Sequence, residues 1–380
     1  MSSTLLDPRV LDASTLTPRQ TSAVYLPIGI EGQADTAGAS ATVGTPYAVS
    51  RVDQAISLFG APTNKLVNLI TAMLNAGAGP IIAACAAKGS TPTLPQRQAV
   101  WQMMEADVNI RLRLTDSEIQ SDLTALADSA TNANLVYNKQ VAIGGLPSGT
   151  VKAALISAAG AMAPGSAPRM VLVGPGVYDA NGTLWGGSYA AACVAAEIAK
   201  NADPTNDLDL WNIPSLSGIE LDGNGLPVFR RKVVTGAAVD EYEDLLQGGV
   251  SPLQPSRVPG GVATTHLRTC YTTNTSWDNL YTRIIVDQVF LDVRDYILDG
   301  NFLRMGNTDK TRNRIQSGVQ ALLAQRNQWI SPITQPDGSL GYGVSVTASP
   351  NQRQITVGYQ GVVVRGISTV LVAANLTIPV

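Results

Sequence analysis

The sequence predicts an α/β fold with an α+β C-terminal part. An α/β domain at 91–240 is inserted in a mixed sheet-and-helix core domain formed by 21–90 plus 241–365. An extended N-terminal arm at 1–20 and a C-terminal arm strand at 366–380 flank these domains. Three observations lead there. Strand and helix signals alternate from about residue 95 to residue 200. The first 20 residues are broken by Pro8 and Pro18, and the last forty are almost entirely β-prone.

Taken in order, residues 1–20 read as an arm because the prolines break any helix, and Leu5, Leu6, Val10 and Leu11 share no amphipathic period. Thr21-Ser22-Ala23-Val24-Tyr25-Leu26 reads as a strand, and the Gly/Ala/Thr-rich run 29–45 as a loop. Helical spacing with a glycine stop covers 52–60. A second helix is predicted at 64–76, with Leu66, Leu69, Ile70 and Met73 on one face. Helices are then predicted at 96–107, 116–132, 151–162 and 188–200, alternating with strands at 108–114, 140–143 and 169–173. Such alternation signals parallel strands.

Residues 239–247 form a short helix whose acidic first turn (Asp240, Glu241, Glu243, Asp244) suits the macrodipole. Over 280–298, Ile285, Val289, Val293 and Ile297 make one stripe, with Ile284, Leu291 and Tyr296 beyond it. A stripe that wide fits a helix packed on two sides. Asn307 and Thr308 can cap the next helix, which buries Ile315, Val319, Leu322 and Leu323. The runs 344–347, 355–359, 361–364, 369–372 and 376–378 are β-branched, with Gly or Pro between them. An apolar end of this kind (Thr369, Val370, Leu371, Val372, Leu376, Ile378, Val380) has to be tied down. It either closes its own sheet or adds to a neighbour's.

Apolar residues make up 45% of the 380 and charged residues 14%, which allows large cores and argues against general disorder. Charge that far below the usual quarter or so fits a surface largely covered by other copies. With 26 basic and 29 acidic residues, net −3, nothing global points to direct nucleic-acid contact or an anionic membrane. Met1 through Pro8 lack the basic start and apolar core of a signal peptide, so no cleaved export signal is expected. The small-apolar stretch 76–87 is interrupted by Gly77, Gly79 and Pro80. It falls short of the ~18–20 residues of a membrane span. Cys85, Cys193 and Cys270 are isolated and read as free buried thiols.

The patterns that could carry chemistry are incomplete. His266 is the one histidine, so no multi-histidine metal site can form. Ser188 in Gly186-Gly187-Ser188 could be a nucleophile at a helix start, but it reads as a helix cap. Asp35-Thr36-Ala37-Gly38 loosely echoes a subtilase acid motif, yet the histidine follows the serine, the wrong chain order. Gly174-Pro175-Gly176 has Asp179 where a third glycine belongs, and no G-K-[ST] follows. Asp222-Gly223-Asn224-Gly225 begins like a calcium loop but has Val233 at position twelve. Both read as turns. No catalytic residue, cofactor or metal is expected, and a serine hydrolase on Ser188 is the remote alternative. One charge feature survives: Arg304, Lys310, Arg312, Arg314 and Arg326 against Asp309 give +4 in a chain of −3, leaving −7 elsewhere. It is either a solvated helix face or a surface that docks on an acidic partner.

The order of several segments resembles the tail sheath proteins of contractile phages, pyocins and related injection systems. Ala55-Ile56-Ser57-Leu58-Phe59-Gly60 before a helix looks like that family's early "LFG" segment. Gly186-Gly187-Ser188 through Ala191, then Trp211-Asn212-Ile213-Pro214, is similar to its Pro-Ser-Gly…Trp-x-x-Pro region. Tyr281-Thr282-Arg283-Ile284-Ile285-Val286 resembles the lead into its conserved helix. Two departures stand out. Only Leu267-Arg268-Thr269 remains of the Gly-x-Arg-Thr element, and the proline before the Gly-Ser step is missing. The resemblance implies hexameric rings of identical copies stacked in a helical lattice around a tail tube, ending at a baseplate and a tail terminator, with no membrane insertion. It implies terminal arms that add strands to neighbouring subunits, the reading that suits residues 1–20 and the C-terminal strand. The basic helix (Lys310, Arg312, Arg314, Arg326) would then face the tube. Another phage tail or baseplate subunit is the nearer alternative.

Overall fold

The structure, a computed structural model, describes residues 26–379 except 108, 136–137, 163–168, 202–207, 209–210, 231–239, 257–259, 273–278, 301, 303–304, 337, 349–353 and 364–369. Contacts divide the chain into two compact units, whose described residues fall within 25–280 and 281–380.

The first unit opens with β1 (Ile28–Ala34), β2 (Tyr47–Val49), α1 (Val52–Phe59), α2 (Lys65–Asn75) and β3 (Ile81–Lys88). It continues with α3 (Leu94–Ala106), β4 (Leu112–Thr115), α4 (Gln120–Leu135), β5 (Val141–Gly145), α5 (Lys152–Ala161) and β6 (Met170–Gly174). After these come β7 (Val177–Asp179), β8 (Leu184–Trp185), α6 (Gly187–Lys200), β9 (Asn212–Ile213) and β10 (Leu216–Ile219). It ends with α7 (Glu241–Gln247), β11 (Val250–Pro255) and β12 (Val262–Thr264). Nine strands form one sheet in the order β2-β3-β1-β4-β5-β6-β11-β12-β9, and β10-β7-β8 form a small second sheet. β3, β1, β4, β5, β6 and β11 are parallel, while β2, β12 and β9 pair antiparallel at the edges.

The α/β class and the predicted helices are present, with ends moved by at most four residues. Several short strands carry no sequence signal, and three of the longer ones show why. β1 lies in the run expected to be a loop, because Gly29 and Gly32 read as breakers. They are there for space: a Cβ would lie 2.9 Å from Ile110 at Gly29 and 2.5 Å from the Asp116 carboxylate at Gly32. β3 is the alanine-rich stretch that lacks β-branched residues at most positions, yet six of its eight residues are buried. β11 carries Pro252 and Pro255, which argue against a strand. The predicted strand 21–26 lies outside the described residues except for Leu26. The division at 90 and 240 also differs from the observed units. β1 is hydrogen-bonded to β3 on one side and β4 on the other, so one sheet runs through residue 90. β6 pairs β11 across residue 240 in the same way.

α6 is buried along its length from Gly187 to Ile198, and its alanines and glycine let it lie close to the sheet. The closest approach is backbone on backbone: a Cβ at Gly145 of β5 would fall 2.5 Å from Gly187.

The second unit contains α8 (Leu280–Asp299), α9 (Asp309–Gln325), β13 (Ile330–Ser331), β14 (Ile333–Thr334), β15 (Leu340–Gly341), β16 (Gly343–Ala348), β17 (Gln354–Val363) and β18 (Val370–Pro379). Ile285, Val289, Val293 and Ile297 are at most 1% exposed, as the stripe predicts. Thr308 caps α9, accepting from the Thr311 amide at 3.2 Å. Ile315, Val319 and Leu323 are buried, and Leu322 is half-buried. β17 and β18 are each one ten-residue strand where the glycine and alanine interruptions suggested two. No helix among the described residues is long and apolar enough to cross a membrane.

Gly145→Ala or Gly187→Ala should therefore destabilise the first unit by roughly 2–3 kcal/mol through overpacking. A lower urea midpoint at unchanged slope would register it.

Candidate functional site

In open α/β sheets, ligands bind beyond the carboxyl ends of the strands where the strand order reverses. Here the chain passes from β1 to β3 on one side and from β4 to β5 and β6 on the other, so that point lies between β1 and β4. A cavity of about 460 Å³ opens there, with Asp35, Lys65, Arg97, Asp116, Ser117 and Glu118 in its wall.

The backbone donors that would hold an anionic ligand are already taken by the chain's own carboxylates. At the start of α6, Glu118 Oε1 accepts from Ser188 N at 3.1 Å and from Ser188 Oγ at 2.6 Å, and Lys65 Nζ lies 3.2 Å away. Before α2, Asp35 accepts from the Ala61 amide at 2.6 Å and from Asn64 Nδ2 at 2.9 Å. Asp116 accepts from the Gln33 amide at 2.6 Å. Glu220 bridges two loops, accepting from Gly149 N at 2.6 Å and Gly176 N at 3.0 Å, so the Gly174-Pro175-Gly176 turn is occupied by a side chain. A phosphate entering this edge would meet carboxylates.

Beneath the crevice lies a buried charge cluster. Arg97 Nη1 donates to Glu31 Oε1 at 2.7 Å and to Asp116 Oδ1 at 2.8 Å, and Arg97 Nε lies 3.1 Å from Asp122 Oδ2. Thr115 Oγ1 donates to Glu31 Oε1 at 2.5 Å. Burial pushes the Glu31 carboxyl up to about 7; the Asp116 charge adds to this, and Arg97 and the Thr115 hydroxyl oppose it. Burial alone would lower Arg97, but Glu31 and Asp116 hold it above its ordinary value. Arg113, 0% exposed, donates to Ser129 Oγ, Gln140 Oε1 and the Trp101 carbonyl, and burial lowers it to about 10. Removing one partner of a buried ion pair costs about 3–5 kcal/mol. Arg97→Ala, which strands three carboxylates, should reach at least that range in chemical denaturation.

Ser188 is 1% exposed, and both its hydroxyl and its amide go to Glu118. It is not itself the cap expected from the sequence. Gly186 holds the N-cap position, and Glu118 reaches across to satisfy the first turn. His266 is exposed, and Cys85, Cys193 and Cys270 are free and buried. Asp222 closes a turn, accepting from the Asn224 amide at 2.8 Å and the Leu226 amide at 3.0 Å. Among the described residues no group of three metal-ligating side chains assembles. Glu31, Arg97, Glu118 and Glu220 were not singled out from the sequence. The one available signal was charge inside apolar runs, as in Ile30-Glu31-Gly32 and Leu112-Arg113-Leu114.

In the second unit, β18 pairs antiparallel with β17 of the same chain along its whole length, from Val370↔Val363 through Leu371↔Val362, Val372↔Gly361, Leu376↔Val357 and Ile378↔Ile355 to Pro379↔Gln354. β16 pairs with Ile355 to Gln360 of β17, and β13 with Val362 and Val363. A strand has two edges, so β16 and β13 share one edge of β17 and β18 fills the other. Leu5, Leu6, Val10, Leu11, Thr369 and Val380 lie outside the described residues.

The basic positions of α9 are spread rather than gathered. Lys310 is exposed. Arg312 is half-buried, donates to Asn307 Oδ1 at 2.6 Å and pairs with Asp309. Arg314 lies 5.5 Å from the centre of the Phe302 ring. Arg326 donates from Nε to Asp292 at 2.7 Å and stacks 4.8 Å over Trp329. Arg304 lies outside the described residues. The exposed line along α9 is Lys310, Asn313, Ser317, Gln320 and Ala324, which carries one charge.

No protein-family model and no curated protein matches the chain. Solved structures do. The sheath tail protein of Desulfitobacterium hafniense superposes with a TM-score of 0.66 at 10% identity, covering 93% of this chain and 97% of that one. The sheath tail protein of Listeria innocua gives 0.67 at 12% identity, covering 96% and 97%. The helical sheath of the anti-feeding prophage in its contracted state gives 0.63 at 13% identity, covering 93% of each chain. Along nearly its whole length, this chain has the fold of the tail sheath proteins.

Proposed function

We propose that the chain is a structural subunit of a contractile tail sheath, forming stacked hexameric rings around a tail tube and contracting to drive the tube through a target envelope. One observation carries this reading: the two-way coverage of at least 93% with sheath proteins from three different sources. A shared domain alone would leave part of one chain unmatched. The self-liganded crevice supports it as well, since the edge where α/β enzymes hold substrates is closed by the protein's own carboxylates. Tube, baseplate and tail terminator are the partners this role brings, the particle's tail is its location, and host cytoplasm the place of assembly.

The strand β18 is the element we assign to linking subunits. Seated on β17 of its own chain or on β17 of a neighbour, it would make the same backbone bonds in the same register. Exchange of identical contacts costs little beyond the path of the connection. A copy that lends β18 to the next therefore builds a chain-linked lattice without new chemistry. The N-terminal residues Leu5, Leu6, Val10 and Leu11 are assigned the same kind of role.

On α9 the contact with the tube falls to the exposed line Lys310, Asn313, Ser317 and Gln320. Arg312, Arg314 and Arg326 are engaged within the subunit, so they shape the helix surroundings more than they grip. A weakly charged contact suits a surface that has to let go.

Electron microscopy of the purified protein should show hollow tubes with sixfold rings; monomers or single rings would point to another tail or baseplate component. Cysteines at the facing positions Thr356 and Thr377, as T356C/T377C, would lock β18 at home when oxidised. The oxidised protein should stay unpolymerised, and reduction should restore tubes. Tubes that form equally well while the intrachain disulfide is intact would remove strand exchange from the mechanism. Lys310→Glu should weaken co-assembly with tube more than Arg326→Gln does, scored as the fraction of tubes that acquire a sheath.

A further inference from the structure

We propose that Glu31 is a proton-operated clasp: with a proton on its carboxyl it holds α3 and α4 to the C-terminal edge of β1 and β4, and loss of that proton weakens their hold. The inference stands on the geometry of the first unit and does not rest on the sheath reading.

Three carboxylates share one guanidinium. Glu31 comes from β1, Asp116 follows β4, Asp122 belongs to α4, and Arg97 of α3 joins them. Each is at most 7% exposed at the side chain, so water does little to offset the surplus of negative charge. The three are not equivalent. Asp116 also accepts from the Gln33 amide, and Asp122 from the Ser117 hydroxyl at 2.6 Å, so their charge is met by further donors. Glu31 has the Thr115 hydroxyl as a further donor, but on Oε1 alone; it is 0% exposed, and its Oε2 has no hydrogen-bond partner. An ionised oxygen left without a donor in a dry interior is costly, and neutralising it removes most of that cost.

The remaining charges near β1 give Glu31 no hydrogen bond, though Arg113 attracts it at longer range. Lys65 of α2 goes to Glu118, Asp53 of α1 to Arg51, and Lys200 and Glu197 of α6 to each other. Lys88 of β3 donates to the Ala39 carbonyl at 3.0 Å, and Glu105 of α3 is bonded to Ser129. Arg113 of β4 is taken up by Ser129, Gln140 and Trp101. Glu31 is left with a share of Arg97 and the Thr115 hydroxyl, both on Oε1, and a proton. Its raised value, about 7, puts that proton within reach of ordinary changes in pH.

The sign follows from comparing the closed edge with an opened one, in which Glu31 titrates near the ordinary glutamate value of about 4.3. Below that value both states hold the proton. Between about 4.3 and 7 only the closed state does, so each unit of rising pH weakens closure about tenfold. Above about 7 the contribution is gone.

Hydrogen exchange of the full chain, read by mass spectrometry on wild type and Glu31→Gln, tests this. Comparing the two proteins at each pH cancels the intrinsic exchange rate and every other titrating group. The protection ratio of Glu31→Gln to wild type, in peptides spanning α3 and the start of α4, should rise by about tenfold per unit from pH 5 to 7 and then level off. A ratio that stays flat over that range overturns the proposal. Should Glu31→Gln fail to fold, wild type carrying ¹³C-carboxyl glutamate decides by direct titration. One glutamate changing near neutrality supports the clasp, and every glutamate changing below about pH 5.5 overturns it.

Discussion

A parallel sheet delivers a run of backbone amides and helix N-termini to one edge, and those donors must be satisfied by something. This constraint organises the first unit. Many α/β proteins leave the edge open for a phosphate or carboxylate ligand. Here Asp35, Asp116, Glu118 and Glu220 fill it from within the chain. The glycines of the two motif-like turns are spaced for these side chains and for close packing: a Cβ at Gly186 would lie 2.3 Å from Glu118, and one at Gly176 would lie 2.8 Å from Glu220. The architecture of a binding site and its cavity are kept, and its donors are satisfied from within the chain.

The two units satisfy their backbones in different ways. In the first, ladder strands are covered by helices, and the polar edge is closed by charge. In the second, the sheet is three strands wide at β17, and its outermost strand is also the last segment of the chain. Ten paired residues at about 1 kcal/mol net per backbone bond make a contact strong enough to last. Its partner is replaceable by an identical one. In the proposed exchange, β18, held along one edge of β17, is the element two copies would share.

The α/β alternation, α1 to α9 to within a few residues, and the β-rich end are legible in the sequence. These rest on local signals: the stripe on α8, the Thr308 cap, the Asp240 cap that accepts from the Tyr242 and Glu243 amides. What is not legible depends on neighbours distant in sequence. Gly29 and Gly32 look like a loop until Ile110 and Asp116 are set against them. The alanines of β3 look like a helix or a linker until the strand is buried between β1 and β2. The charge cluster was illegible for the same reason. Glu31 and Arg97 are 66 residues apart, and no spacing rule joins them. Ser188 shows the limit from the other side: a residue of capping type stood at a helix start, and the cap came from Glu118, 70 positions away.

On α9 the charges are redistributed by their contacts. Five basic residues within a short span suggest a positive face, but a side chain's charge acts where its contacts leave it. Asp292 neutralises Arg326 and Asp309 neutralises Arg312, while Arg314 lies over a ring. What reaches solvent along the helix is nearly neutral. On the sheath reading this matters, because a subunit that must grip a tube during assembly and slide off it during contraction gains nothing from a deep electrostatic well. Exposed charge pairs are worth at most about 1 kcal/mol each, and a surface of Asn, Ser and Gln with one lysine lies at the low end of that range. With the proposed strand exchange, the holding force would come from subunit to subunit, and the contact with the tube would need only to set register.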